Sequence, residues 1–332
     1  AVDGLLVPYV EIESSGDKAY DVTDRVTGIV TNVRLDPAVF APLISATVTN
    51  AVAVTVPYEE LDGLAIVAVQ IAGKTYHMLI DSGSQADVID AGVVHALGVK
   101  PQGMLEVRGA KRTASGGVVH LGGMSIGAVD LPMDIATVLD LSGLLRSARI
   151  DGILGYPLFD AADVRIDPGT QTITLARPGT LAHDGARIDI DTDREVLEAG
   201  VHVNGAAVRV LLDTGDANEL MLFQKFIHAN PGLVSWVTGS RSSDRGIGGS
   251  IQAANANVSD LQLGPYHLYN RNATVVLEDT GAFADRNIGG NVGYACLRNF
   301  VMTFDLSDGA LYIKPARTFD DGRFRAVIEP AS

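Results

Sequence analysis

Two short stretches of this chain, Ile80-Asp81-Ser82-Gly83 and Leu212-Asp213-Thr214-Gly215, carry the same pattern 132 positions apart. Each places an aspartate, a hydroxyl residue and a glycine at the end of an apolar run typical of a buried strand. One such triplet indicates little, because three common residues recur by chance. A matched pair indicates more, since two facing carboxylates can activate one water molecule between them.

The similarity between the two halves extends well beyond the triplets. A glycine lies eight residues before each aspartate, a later apolar-apolar-Gly segment recurs in altered form, and a further aspartate follows twelve residues after that segment. In chain order these matched pairs are Gly73 and Gly205, residues 153–155 and 291–293, and Asp167 and Asp305. Internal repeats of this kind indicate two homologous lobes.

With these marks the chain resembles a retropepsin-like aspartic peptidase of a bacterial type, in which two lobes are fused in a single chain. The resemblance covers residues 58 to 316. It implies an all-β, bilobal pepsin/retropepsin-like acid protease fold with pseudo-twofold symmetry and a few short helices. Short alternating segments and 36 glycines independently favour an all-β protein with many tight turns.

The repeat predicts the organisation of the chain. In order, we expect a strand-rich N-terminal extension at 1–57, lobe one at 58–180, an inter-lobe linker at 181–194, lobe two at 195–318, and a C-terminal strand or tail at 319–332. The extension has no counterpart in the repeat. It either pairs with the tail near residues 324–328 in a sheet that bridges the lobes, or it is a cleavable inhibitory segment.

Hairpins are expected at 64–80 and 196–212, and two short helices are expected in each lobe. These helices are predicted at 90–97, 155–162, 222–229 and 293–300. The resemblance also implies a Gly-rich hairpin over the cleft, which one or both of the segments 108–117 and 245–249 would form. The second segment lacks the Lys-Ser/Thr that follows a phosphate-binding loop.

The resemblance implies that Asp81 and Asp213 are the catalytic residues. Two adjacent carboxylates cannot both ionise at low cost, so the pair shares one proton, a behaviour well known from the aspartic proteases. One member then acts as general base on a water molecule while the other protonates the scissile carbonyl oxygen. The sequence therefore predicts an aspartic endopeptidase acting on an extended protein or peptide substrate. The alternative is a catalytically silent peptide-binding module that retains the fold.

Supporting roles follow for the other triplet residues. Ser82 and Thr214 are expected to interlock the two loops through their hydroxyls, since buried polar groups need partners. Gly83 and Gly215 are expected to let the loops approach each other and to turn their amides toward the carboxylates.

Three positions bear on the symmetry of the repeat. Ser84, after the first triplet, is a small polar residue of the kind the family uses there, whereas Asp216 occupies the matching place in lobe two. Asp216 either faces the cleft as a third carboxylate or caps the following turn. Asn291 replaces the apolar residue found at Ile153, and we expect it to mark drift of lobe two without touching the catalytic aspartate.

Composition limits the partners of the protein. Its 332 residues are 47% hydrophobic and 20% charged, which excludes a largely disordered chain. No apolar run of about 18 residues is present, so we expect no integral membrane segment. The net charge of −15 repels phosphate backbones and excludes nucleic acid as an expected partner.

The remaining features carry weaker indications. The seven histidines form no His-Glu-x-x-His motif, and the acidic run at 189–195 lacks the glycine and distal glutamate of a calcium loop, so neither metal nor cofactor is expected. The first residue, Ala1, is either the end left by signal-peptide removal or the result of trimming. We expect a periplasmic or otherwise extracytoplasmic protein that is a monomer as the catalytic unit.

Overall fold

The two halves of the repeat fold as two similar β-rich lobes. The computed structural model describes residues 10–13, 22–26, 29, 47–48, 52–108, 113–132, 135–247, 249–285, 287–316 and 324–326. Ala1–Ile44 and Ser45–Ser332 form separate compact units. In the first unit, strands β1 (Val10–Glu13) and β2 (Val22–Arg25) pair as an antiparallel ribbon.

Lobe one consists of strands and two short helices. The strands are β3 (Val54–Leu61), β4 (Leu64–Ile71), β5 (Lys74–Ile80), β6 (Val88–Asp90), β7 (Gln102–Arg108), β8 (Thr113–His120), β9 (Met124–Ile126), β10 (Val129–Leu131), β11 (Ile135–Leu139), β12 (Gly152–Leu154), β13 (Asp163–Asp167) and β14 (Thr172–Ala176). The helices are α1 (Ala91–Leu97) and α2 (Tyr156–Ala161).

The second half of the chain repeats this organisation. Its strands are β15 (Ala186–Asp189), β16 (Glu198–Val203), β17 (Ala206–Asp213), β18 (Leu220–Leu222), β19 (Ser235–Gly246), β20 (Gly249–Leu263), β21 (Tyr266–Val276), β22 (Gly290–Gly293), β23 (Phe300–Asp305), β24 (Ala310–Pro315) and β25 (Phe324–Ala326). Its helices are α3 (Gln224–Ala229), α4 (Tyr294–Leu297) and the 3-10 turns Gly281–Ala284 and Leu306–Asp308.

Each triplet lies at the end of a strand with equivalent neighbours. In lobe one, β5 pairs parallel to β12, and in lobe two β17 pairs parallel to β22. The predicted hairpins are confirmed as β4–β5 and β16–β17. Their turns use Gly73 at φ +75° and Gly205 at φ +83°, a left-handed conformation that favours glycine.

A bridging sheet joins the lobes through their closing strands. Its strand order is β15-β24-β23-β13-β14-β3, and the central contact between lobes is the antiparallel pair β13–β23. The segment predicted as linker thus supplies an edge strand, β15. The tail strand β25 pairs with Tyr266–Leu268 of lobe two. The predicted pairing of the tail with the N-terminal extension falls mostly on residues outside those that the structure describes.

The four short helices lie where the sequence predicted them, with shorter bounds. Helix α1 begins after Asp90, whose carboxylate accepts the Gly92 N–H at 2.8 Å, and ends at Gly98, which adopts φ +69°. Helix α4 ends at Leu297 rather than at residue 300, because Phe300 already begins the buried strand β23. None of the described helices is long and apolar enough to cross a membrane.

One large apolar core runs through both lobes and holds the triplet strands in place. Strands β4 and β5 bury Ile66, Met78 and Ile80 almost completely. Across the bridging sheet, the rings of Phe159 and Phe304 meet edge to face at 5.0 Å. Burying one such side chain contributes about 1.5 to 3 kcal/mol, so the loops that end β5 and β17 rest on a rigid base.

Candidate active site

The ends of β5 and β17 bring Asp81 and Asp213 together between the lobes. Their carboxyls lie within hydrogen-bond reach of each other. Each carboxyl also lies against the glycine of the opposite triplet. A Cβ atom on Gly83 would lie 2.6 Å from Asp213 Cγ, and one on Gly215 would lie 2.3 Å from Asp81 Cγ. Only residues without a side chain allow this approach.

The hydroxyl residues of the triplets interlock the two loops. The Ser82 N–H donates to Thr214 Oγ1 and the Thr214 N–H donates to Ser82 Oγ, both at 3.0 Å. Each hydroxyl then donates across the interface to a backbone carbonyl, Ser82 to Leu212 and Thr214 to Ile80 at 2.8 Å. Both side chains are fully buried, so these four bonds satisfy groups that water cannot reach.

Backbone amides hold each carboxyl within its own loop. The Gly83 N–H donates to Asp81 Oδ1 at 2.9 Å, and the Gly215 N–H donates to Asp213 Oδ1 at 3.0 Å. Hydrogen bonds to an ionised acceptor are stronger than those to a neutral one. The two loops therefore orient one oxygen of each carboxyl in the same way.

Burial dominates the titration of the pair. It raises the pKa of Asp81 to about 6, an effect that the nearby negative charge of Asp216 reinforces. Burial also raises the pKa of Asp213 well above its ordinary value, and the charge of Asp81 adds to this. A pair of this kind loses its two protons in separate steps and holds one shared proton between them.

The residues after the triplets differ between the lobes. Ser84 Oγ donates to the Ala86 carbonyl at 2.8 Å. Asp216 Oδ1 accepts the Asn218 N–H at 2.9 Å and the Asn218 side-chain amide at 2.7 Å, which is the turn-capping alternative. Its charge nevertheless raises the pKa of Asp81. Asp216 thus caps its turn and acts electrostatically on the opposite carboxyl.

Asn291 contacts the carboxyl of Asp213, which corrects the expectation that it would not. Its side-chain Nδ2 donates to Asp213 Oδ2 at 3.0 Å. The residue is 6% exposed, and its amide oxygen has no hydrogen-bond partner among the described residues. The sequence already indicated a difference between the lobes here, because Asn291 occupies the position that matches Ile153 in the repeat.

Sequence reasoning missed a buried acid, Asp87, six residues after Asp81. Its Oδ1 accepts the Gly155 N–H at 2.8 Å, whereas Oδ2 is buried without a partner in the described part of the chain. Burial raises its pKa to about 7. The repeat places Glu219 at the matching position, where the buried Arg271 lies 3.5 Å away. An acidic residue six positions after each triplet aspartate could have indicated this position from the sequence.

Two hairpins lie in the Gly-rich segments predicted to cover the cleft, β7–β8 and β19–β20. A groove of about 520 Å³ separates the tip of the β19–β20 hairpin from lobe one. Its apolar lining includes Val138 and Leu141 from lobe one and Ile247 from the tip. The volume of this groove is within the range of ligand pockets in proteins.

Comparisons with known proteins agree with this architecture. An aspartyl protease family model matches residues 67–158, which include the first triplet. The structure is similar to that of the aspartic proteinase from Irpex lacteus, with a TM-score of 0.54 and 12% sequence identity, over 82% of this chain and 100% of that chain. No curated protein matches the chain in sequence. At this identity the structural likeness shows the fold alone.

Fold and sequence together define the class. Lobe one carries the aspartyl protease pattern, and most of the chain has the bilobal all-β fold of a pepsin-like aspartic proteinase. The resemblance to retropepsin-like aspartic peptidases is thereby confirmed, and protease activity is the general function that it supports.

Proposed function

We propose that the protein is an aspartic endopeptidase that hydrolyses peptide bonds of an extended protein substrate with a water molecule activated between Asp81 and Asp213. The observation that carries the proposal is the placement of two partly buried carboxyls that hydrogen-bond to each other, each against the other loop's glycine. The silent peptide-binding alternative is less favoured, because both aspartates are present.

The proposed chemistry uses the singly protonated pair. The ionised carboxylate removes a proton from water, whose oxygen attacks the scissile carbonyl carbon while the other carboxyl gives its proton to the carbonyl oxygen. The tetrahedral diol then collapses: one of its hydroxyls returns a proton to the pair as the C=O bond re-forms, the C–N bond breaks, and the proton taken from water passes to the leaving amine. The pair ends with one proton, as it began.

The substrate is proposed to lie extended between the lobes. An extended peptide can add backbone hydrogen bonds along hairpins such as β7–β8 and β19–β20, with its side chains in adjacent grooves. A single chain supplies both aspartates, so we propose a monomer as the catalytic unit, built from lobes at 58–180 and 195–318. A periplasmic or other extracytoplasmic location is proposed from the sequence alone.

The test is cleavage of an unstructured protein from about pH 3 to about pH 8, the range over which such a pair titrates. We expect wild type to produce internal fragments and Asp81→Asn and Asp213→Asn to produce none. If wild type binds the protein substrate but does not cleave it at any pH, the result supports the catalytically silent peptide-binding module instead. Cleavage by either variant would exclude the proposed mechanism.

A further inference from the structure

We infer that Asn291 breaks the symmetry of the carboxyl pair, so that Asp213 carries the negative charge and Asp81 keeps the shared proton. The catalytic consequence rests on the proposed function: Asp213 would be the general base and Asp81 the acid. The assignment of charge itself concerns two ionisable groups and can be tested without any substrate.

The strand registers show that Asn291 and Ile153 occupy equivalent places. On β12, Ile153 lies opposite Leu79 of the strand that leads to Asp81. On β22, Asn291 lies opposite Leu211 of the strand that leads to Asp213. Both positions are buried, at 1% and 6% exposure. Lobe one therefore places a hydrocarbon side chain where lobe two places an amide.

The amide gives Asp213 a donor that Asp81 does not receive from the equivalent residue. Asp213 Oδ1 accepts from the Gly215 N–H and Oδ2 accepts from Asn291 Nδ2, at 3.0 Å each. The backbone donors of the two loops match, since Gly83 and Ser84 act on Asp81 as Gly215 and Asp216 act on Asp213. The donor from Asn291 favours the ionised form of its acceptor.

The charge of Asp216 acts in the same direction from the other side. Its negative charge disfavours ionisation of Asp81. The repulsion between Asp81 and Asp213 is mutual, so it opposes the second ionisation without deciding which carboxyl ionises first. Burial acts on both carboxyls. The hydrogen bond between the carboxyls lowers the pKa of Asp81 and raises that of Asp213, but this effect reverses when the proton moves to the other carboxyl. The effects of Asn291 and Asp216 do not reverse in this way, and both place the charge on Asp213.

The remaining atom of the Asn291 amide supports a functional role. Its carbonyl oxygen is buried without a hydrogen-bond partner in the described structure. An unpaired buried acceptor is unfavourable, and an apolar residue such as the Ile153 of lobe one would avoid it. The amide lies where its N–H reaches the carboxyl of Asp213.

The direct test is carboxyl ¹³C NMR of protein labelled at aspartate, titrated with pH and assigned with Asp81→Asn and Asp213→Asn. We expect the Asp213 carboxyl to ionise at lower pH than that of Asp81. In Asn291→Leu, which removes the donor with little change of shape, the ionisation of Asp213 should move upward by about one pH unit. The control Ile153→Leu should leave it unchanged.

The kinetic test is the pH profile of peptide cleavage. Loss of the donor should move the acidic limb of kcat/KM upward by about one pH unit in Asn291→Leu, with KM unchanged, because the active form needs an ionised carboxylate. Ile153→Leu should keep the wild-type profile. A purely structural role for Asn291 would lower the amount of folded protein without moving the limb.

Two outcomes would overturn the inference: ionisation of Asp81 before Asp213 in wild type, or an Asp213 titration unaffected by the loss of the amide. If Asn291→Leu does not fold, Asn291→Ser, which is smaller and too short to replace the bond, serves in its place. Absence of cleavage by wild type would count against the proposed function alone, since the NMR titration still decides the assignment of charge.

Discussion

Gly83 and Gly215 show how strictly single residues constrain the site. A methyl group on Gly215 would lie 2.3 Å from Asp81 Cγ and 2.5 Å from both of its carboxyl oxygens. Contacts this short force the carboxyl or the loop to move. The glycines are thus required by the close approach of the loops rather than by a positive φ.

We therefore predict that Gly215→Ala and Gly83→Ala each lower kcat by at least about 100-fold, the usual consequence of displacing a catalytic group by about 1 Å. Peptide cleavage measured at constant pH would show this. The matched control is Gly200→Ala on β16, where an added Cβ meets nothing within 4 Å. Equal activity of Gly215→Ala and wild type would contradict the geometry.

Individual residues were predictable where the chemistry demanded one residue type. The interlocked hydroxyls and the glycines followed from the repeated triplet. The two loops can approach closely only through small residues, and buried hydroxyls need hydrogen-bond partners. The hydrogen bond from Asn291 did not, since its strand pattern looks apolar and its register with β17 depends on a contact between strands far apart in sequence. Asp87 was missed although an acidic residue, Glu219, stands at the matching position of the repeat.

At the scale of the element, Asp87 connects the loop of the first triplet to the end of β12. It is 1% exposed and bonds the amide of Gly155, the residue that follows that strand. Because burial raises its pKa to about 7, the folded protein binds a proton more tightly than the unfolded chain does. The stabilisation is complete below the unfolded pKa, near 4, and is lost as pH rises through 7.

We predict that Asp87→Asn, which cannot ionise, removes this loss. The unfolding free energy of wild type should fall relative to that of the variant by up to about 4 kcal/mol between about pH 4 and pH 8. Urea unfolding at several pH values measures the difference. Asp130→Asn, at an exposed position on β10, is the control and should keep the wild-type pH dependence. A constant difference between wild type and Asp87→Asn would refute the role of Asp87.

The β19–β20 hairpin is the element expected to shape specificity. Its tip residue Ile247 lines the groove that faces Val138 and Leu141 of lobe one. We predict that Ile247→Ser raises KM for apolar peptides about tenfold, because one apolar contact in a binding pocket contributes about 1 to 3 kcal/mol. Val237→Ser, an exposed position on the same hairpin, should not change KM. If the two substitutions change KM equally, the tip of the hairpin does not contribute to the substrate site.

Local elements were easier to predict than their partners. Hairpins and short helices follow from alternation and turn residues within about twenty positions. The pairing of β13 with β23 joins strands more than 130 residues apart, and no local pattern specifies it. For the same reason the pairing of the tail strand β25 with β21 was not predicted.

At the scale of the whole molecule, the duplication makes one site from two lobes. The bridging sheet and the interlocked loops hold Asp81 and Asp213 against each other across the pseudo-twofold axis. Lobe two has departed from lobe one at Asp216 and Asn291, both of which act on the pair. The two lobes are therefore more alike in fold than in the residues that act on the two aspartates.

The central claim is that Asp81 and Asp213 are halves of one catalytic unit. Its most direct test is a double-mutant cycle on peptide hydrolysis with Asp81→Asn, Asp213→Asn and the double variant. We predict that each single variant loses at least about 1,000-fold in kcat/KM and that the double variant loses no more than either, because residues acting as a unit are not additive. Losses that add, or activity retained by one single variant, would contradict the claim.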